Sequence, residues 1–325
     1  VEYTDEAGNV IEPKVTHIDW DLDMAEKGGY PDFMLKEIHE QPRVVRDTLV
    51  GRMTPAGELD IDELGLSLEE LNDIDRVYVI ACGTSYHAGL IAKNLIEGWA
   101  RIPTEVEAAS EFRYRNPIIT PTTLVVAVSQ SGETADTLAA IRDARIKGAK
   151  VFGITNVVGS PVARESDGVI YTKANKEIAV ASTKSFIGQV VSLTLLALLL
   201  AQVKYRLTTK QTRMMFRELS DTAEQIQWIL DTQTEAVREA ALVCKDAQSA
   251  LFVGRGMGAA ISYEGALKLK EVSYLHAEAY AAGEMKHGPI ALIEPGFPVI
   301  AVATKSATYD KTVSNLMECK ARGAK

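Results

Sequence analysis

The sequence predicts two tandem α/β units, each a doubly wound parallel sheet with helices on both faces, the second cut short. Three observations carry this. From Val77 onward, short apolar segments alternate with helical ones, the pattern of a parallel sheet covered on both sides. That pattern then occurs a second time. The chain has 325 residues, 46% of them hydrophobic and 24% charged, which suits a soluble globular protein too long for one ordinary domain.

The elements follow in order. Residues 1 to 15 (VEYTDEAGNVIEPKV) are polar, carry a turn signal at Gly8-Asn9, and read as a linker from a neighbouring domain. Residues 32 to 50 read as a helix with Phe33, Leu35, Ile38, Val44, Val45 and Leu49 as apolar positions, broken or kinked at Pro42. Strands are expected at 77–81, 104–109, 124–128 and 150–155, and helices at 84–100 and 133–148. The run Phe186 to Ala201 is interrupted by Gly188, Gln189, Ser192 and Thr194. It falls short of the roughly 20 apolar residues a membrane span needs, so it reads as a buried helix.

The second half repeats the first. VYVIACGTSY at 77 aligns with ALFVGRGMGA at 250, an offset of 173 residues. VEAASEFRY at 106 aligns with AYAAGEMKH at 279, again 173, and LVVAVSQ at 124 with PVIAVAT at 298, offset 174. TLAAIRDARIKGAK at 137 aligns with TVSNLMECKARGAK at 312, offset 175. So slow a drift marks a duplicated unit. Lys325 is the partner of Lys150, after which the first copy continues to about residue 205; the second copy is therefore expected to lack its last strands and helices. The division is 1–50 for the linker and first helix, 51–206 for the first domain and 207–325 for the second.

A net charge of −9 gives no electrostatic support for a nucleic-acid role. The three cysteines, Cys82, Cys244 and Cys319, have neither metal-ligand spacing nor an even count for disulfides, and fit a reducing cytoplasm. No signal peptide opens the chain. Neither a metal nor a cofactor is expected.

Five stretches could carry chemistry. In SQSGET (129–134) a buried strand runs into a helix N-terminus, whose free N–H groups favour an anion. Ser129, Ser131 and Thr134 add hydroxyls, and Gly132 lets the backbone come close. This predicts a phosphate grip built from neutral dipoles; ordinary helix capping would account for one hydroxyl, not three. ACGTSYH (81–87) sits at an equivalent switch, with Thr84 and Ser85 able to face the same pocket or merely to cap. GRGMGA (254–259) imitates a dinucleotide fingerprint, but its partner in the first copy lacks the glycines. In YEGALKLKEVSY (263–274), Glu264, Lys268 and Glu271 share one helix face. They form either a solvated salt-bridge row or a general base, Glu271, with Lys268 as its electrostatic partner. His287, before Gly288-Pro289, is the histidine best placed for acid–base work. His87 and His276 look structural.

Together, CGTSYHAG, SQSGETADT, VASTKSF, EGALKLKEVSYLHAEAYAAGEMKHGP and EKGGYPDFMLKEIHEQP closely resemble the glutamine–fructose-6-phosphate aminotransferase family. The resemblance runs from about residue 17 onward, in the right order, over that family's isomerase half. It implies two sugar isomerase (SIS) domains of flavodoxin-like topology. It implies an enzyme that makes glucosamine 6-phosphate from fructose 6-phosphate and ammonia, the ammonia coming from a glutaminase domain that these residues do not include. By motif, Ser129, Gln130, Ser131 and Thr134 would bind the sugar phosphate with Thr84 and Ser85. Ser182 and the backbone near Val180 would hold sugar hydroxyls. Glu271 would move a proton between C1 and C2 with Lys268 assisting, and His287 would open the sugar ring in the neighbouring subunit's site of a homodimer. The family's imine-forming lysine falls beyond Lys325. Glucose 6-phosphate would also bind, no membrane or nucleic acid is involved, and the location implied is the cytoplasm. A non-catalytic sugar-phosphate regulator and a related sugar-phosphate deaminase or deglycase are the competing readings.

Overall fold

A computed structural model describes residues 3–4, 8–11, 26–61 and 63–325. The expected N-terminal linker lies partly outside these residues. Within it, β1 (Tyr3–Thr4) and β2 (Val10–Ile11) pair antiparallel.

The first unit is a five-stranded, all-parallel sheet. Its strands are β3 (Arg76–Ala81), β4 (Thr104–Ala108), β5 (Thr123–Ser129), β6 (Lys150–Thr155) and β7 (Gly168–Tyr171), in the order β4-β3-β5-β6-β7. Counted within the domain this is 2-1-3-4-5, the flavodoxin-like order, whose topological switch point lies between β3 and β5. All seven residues of β5 are buried, as its unbroken apolar run requires of a strand covered on both faces. The register Val77↔Leu124 through Ile80↔Ala127 sets the carboxyl ends of β3 and β5 side by side. The loops after both strands therefore open at one edge.

Helix α1 (Phe33–Leu49) begins at Asp32, whose side chain accepts from the Leu35 N–H at 2.8 Å. It runs through Pro42 without a break. Burial of Pro42, Val44, Val45 and Leu49 against the core holds the helix together where an isolated one would be interrupted. The short helix α2 (Leu68–Asp73) precedes β3, α3 (Thr84–Leu95) ends in a π-helical turn, Ile96–Ala100, and the short α4 (Ala109–Phe112) follows β4. Helices α5 (Ala135–Ile146) and α6 (Pro161–Glu165) follow β5 and β6. The run read as a buried helix is α7 (Lys184–Val203). By length and composition α7 passes for a membrane span, but most of it is buried, packed against α1 and α3. An all-round apolar helix suits such a site. Helix α8 (Thr209–Thr232) lays Ala223 into the same core, with Phe216, Leu219 and Ile226 beside it, so residues after 206 still serve the first unit.

The second unit has three parallel strands among the described residues: β8 (Ser249–Gly254), β9 (His276–Ala281) and β10 (Val299–Val302), in the order β10-β8-β9. This matches the first three strands of the other sheet. Helix α9 (Thr234–Cys244) leads into β8, and α10 (Met257–Ser273) follows β8 as α3 follows β3. The duplication extends to the backbone. Gly83 before α3 has φ 53° and ψ −129°; Gly256 before α10 has φ 56° and ψ −124°. The two lie 173 residues apart, the offset read from the sequence. The glycines of GRGMGA thus have a packing reason: a Cβ at Gly254 would overlap the Gly258 backbone as α10 leaves the sheet.

Candidate functional site

The loop from Ser129 to Thr134 occupies the switch point. Gly132 has φ +67°, a left-handed conformation that glycine adopts at least cost. The Gly132 carbonyl accepts from the Val162 N–H at 3.0 Å, and the Asn156 N–H donates to the Gln130 carbonyl at 3.1 Å, tying the loop to the turn after β6. The Gly132 N–H donates to Ser129 Oγ at 3.1 Å, and the Glu133 N–H to Ser131 Oγ at 3.2 Å. Ser129 Oγ and Thr134 Oγ1 are 2.9 Å apart. Thr134 stands at the N-cap of α5 but makes no side-chain cap. The first turn of α5 therefore lacks the usual side-chain acceptor, and its N–H groups and dipole face the strand-end opening. The hydroxyls order the loop rather than cap the helix.

Thr84 and Ser85 open α3 beyond β3, next to this loop. Ser85 is buried. Thr84 Oγ1 also reaches the second unit. It donates to Glu264 Oε1 at 3.0 Å and accepts from Lys268 Nζ at 3.0 Å. Lys268 Nζ in turn lies 2.6 Å from Glu271 Oε2 and 3.3 Å from Glu264 Oε1. The row Glu264, Lys268 and Glu271 is thus no solvated salt-bridge face: the side chains of Glu264 and Lys268 are 7% and 18% exposed, and the row packs against α3 of the first unit. Glu271, at 37% side-chain exposure, is the member open to a ligand. His87, expected to be structural, contributes Nδ1 at 2.7 Å from Glu264 Oε2. A cavity of about 310 Å³ adjoins it, lined by His87, Tyr263, Leu267, Lys270 and Tyr280 among others.

The loop of Val180 and Ser182 joins β7 to α7. Val180 is fully exposed, and Ser182 Oγ donates to Glu177 Oε2 at 2.9 Å. Glu177 also accepts from the N–H groups of Thr183 at 2.9 Å and Ser185 at 3.1 Å. Glu37 of α1, almost wholly buried, accepts from the N–H groups of Ile178 at 2.6 Å and Ala179. Burial pushes the Glu37 carboxyl above its ordinary range, with the two backbone donors and Lys184 opposing that rise. Neither Glu37 nor Glu177 was flagged by the sequence. Their acceptor role depends on the loop closing back onto α1, which no local pattern records. His287 ends the 3₁₀ segment Ala282–His287, is exposed, and makes no hydrogen bond or ion pair with Lys268 or Glu271. Among the described residues no group of three His, Cys, Asp or Glu is placed to hold a metal ion.

This chain pairs two parallel α/β units, with a hydroxyl-rich loop at the first unit's switch point, and the SIS domain family profile matches residues 70–199 and 244–325. The chain belongs to this family. More particularly, it is 50% identical over 325 residues to a glutamine–fructose-6-phosphate aminotransferase [isomerizing] of Clostridium tetani, covering 100% of this chain and 53% of that protein. The enzyme of the same name from Symbiobacterium thermophilum is 51% identical over 325 residues, again 100% of this chain and 53% of that protein. The chain thus spans about half the length of the curated relatives it matches. Among solved structures, the C-terminal domain of glucosamine-fructose-6-phosphate aminotransferase from Francisella tularensis superposes with TM-score 0.87 at 42% identity, over 92% of this chain and 84% of that one. The chain therefore matches the isomerase half of these enzymes. A glucosamine-6-phosphate deaminase from Thermotoga maritima, at TM-score 0.66 and 24% identity over 90% of this chain and 83% of that one, shares the fold alone.

Proposed function

We propose that this chain is the sugar-phosphate isomerase part of a glutamine–fructose-6-phosphate aminotransferase. It turns fructose 6-phosphate and ammonia into glucosamine 6-phosphate, with glucose 6-phosphate as the product when no ammonia is supplied. One observation carries the reading. The Lys268–Glu271 ion pair is hydrogen-bonded through Thr84 to the same sheet edge that holds the Ser129–Thr134 loop. An acid–base pair thereby stands beside a neutral anion cradle.

In this reading the phosphate sits against Ser129, Gln130, Ser131 and Thr134 and the N-terminus of α5, with Thr84 and Ser85 at the start of α3 completing the cradle. Ser182 and the Val180 backbone hold sugar hydroxyls. Glu271 takes a proton from C1 and returns it to C2, while Lys268 stabilises the negative charge that develops on the sugar oxygen. Replacing Ser129 and Ser131 together by Ala should weaken fructose 6-phosphate binding by about 2–3 kcal/mol, at 1–1.5 per neutral hydrogen bond. Calorimetry reads this directly, and unchanged affinity removes the phosphate assignment.

His287 opens the sugar ring from the neighbouring subunit, so the working unit is a homodimer in the cytoplasm that receives ammonia from a glutaminase domain. Mixing Glu271→Gln and His287→Ala variants of the full-length protein should restore activity, because some sites in mixed dimers carry neither defect. Absence of recovery despite proven subunit exchange would place both residues in one chain's site.

A further inference from the structure

Two carboxylates in this site compete for one ammonium. Lys268 Nζ lies 2.6 Å from Glu271 and 3.3 Å from Glu264. Glu264 is the more buried, with 7% of its side chain exposed against 37% for Glu271. In a poorly solvated place a carboxylate draws a cation more strongly, so Glu264 alone would pull Lys268 away from Glu271. The observed lean is the opposite, and the partners of Glu264 explain it. Thr84 Oγ1 donates to Oε1 at 3.0 Å, and His87 Nδ1 lies 2.7 Å from Oε2. Thr84 and His87 are three residues apart on α3 and share the face that meets α10. A carboxylate oxygen accepts, so a hydrogen bond at this contact takes its proton from His87 Nδ1. With both oxygens of Glu264 satisfied from the first unit, the lysine is free to bind Glu271. The His87 ring is itself held in place, stacked on Tyr263 at 6.1 Å between centroids with an edge contact to Tyr86 at 5.9 Å.

We infer that His87 is a positioning residue: through Glu264 it holds Lys268 against Glu271 and fixes that acid–base pair relative to the phosphate loop. This rests on the isomerase reading. The role is narrow, because the donor atom is Nδ1. Asn places an amide nitrogen near that position, whereas Gln reaches toward Nε2 and Ala leaves Glu264 without its second donor.

The test uses His87→Ala, His87→Gln and His87→Asn in the full-length protein, with kcat and KM measured for fructose 6-phosphate to glucose 6-phosphate conversion. Ala and Gln should lower kcat on the order of 10-fold or more through misplacement of the reacting groups, while KM stays close to the parent's. Asn should keep most of the parent's kcat. If Ala does not fold, the contrast between Asn and Gln still decides. Equal kcat for Asn and Gln, or a loss expressed in KM alone, would overturn the role. A parent protein that does not interconvert the two sugar phosphates would overturn the isomerase reading first, and this role with it.

Discussion

Glu271→Gln should cut the interconversion of fructose and glucose 6-phosphates by about 10²-fold or more, the usual contribution of a positioned general base. Binding of either sugar phosphate should largely survive. The substitution keeps the shape of the side chain and an oxygen able to accept from Lys268 Nζ, now 2.6 Å from the carboxylate. What it removes is the capacity to take a proton from carbon. It also leaves Lys268 with Glu264 as its one charged neighbour in the cluster, so the ammonium should shift toward the position now 3.3 Å away. The phosphate loop, on another helix of another unit, is untouched. A coupled assay gives the rate and calorimetry the affinity. A variant turning over near the parent rate would show that the proton moves on some other group.

Gly132→Ala should damage phosphate binding more than the loss of any one hydroxyl. At φ +67° an L-residue is strained, at about 1–2 kcal/mol. The added Cβ would also overlap Ser160 Oγ and come within 2.8 Å of Thr155 Oγ1. Ser160 and Thr155 are both buried and belong to the end of β6 and the start of α6, so neither can move aside without disturbing the sheet edge. The loop must shift instead. That breaks the Gly132 N–H bond to Ser129 Oγ and the Val162 N–H bond to the Gly132 carbonyl. Affinity for fructose 6-phosphate should fall by at least about tenfold, since each 1.4 kcal/mol is a factor of ten. Parent-like affinity would mean that the loop's shape does not matter to the ligand.

How far the sequence could be read follows from what each feature depends on. The strand at 150–155 appears where the apolar run placed it, and the three other expected strands agree within a residue at either end, because burial on both faces writes itself into a continuous run. The repeat was visible because both copies keep the same strand–glycine–helix turn, down to the matching dihedrals of Gly83 and Gly256. Pro42 misled in one respect: a local rule against proline was overridden by packing. The row Glu264, Lys268 and Glu271 on α10 was legible as a face, but its neighbours were not. His87 meets Glu264 across 177 residues of sequence, and helical position alone does not say which histidine faces the other unit. The bridge that the Thr84 hydroxyl makes to Glu264 and Lys268 was hidden from the sequence in the same way.

The central claim is that this pair of units converts a ketose phosphate. The most direct measurement supplies the full-length protein with fructose 6-phosphate, first alone and then with glutamine, and identifies the sugar phosphates formed. The account requires glucose 6-phosphate in the first case and glucosamine 6-phosphate in the second. Fructose 6-phosphate that binds tightly yet is recovered unchanged under both conditions would contradict it.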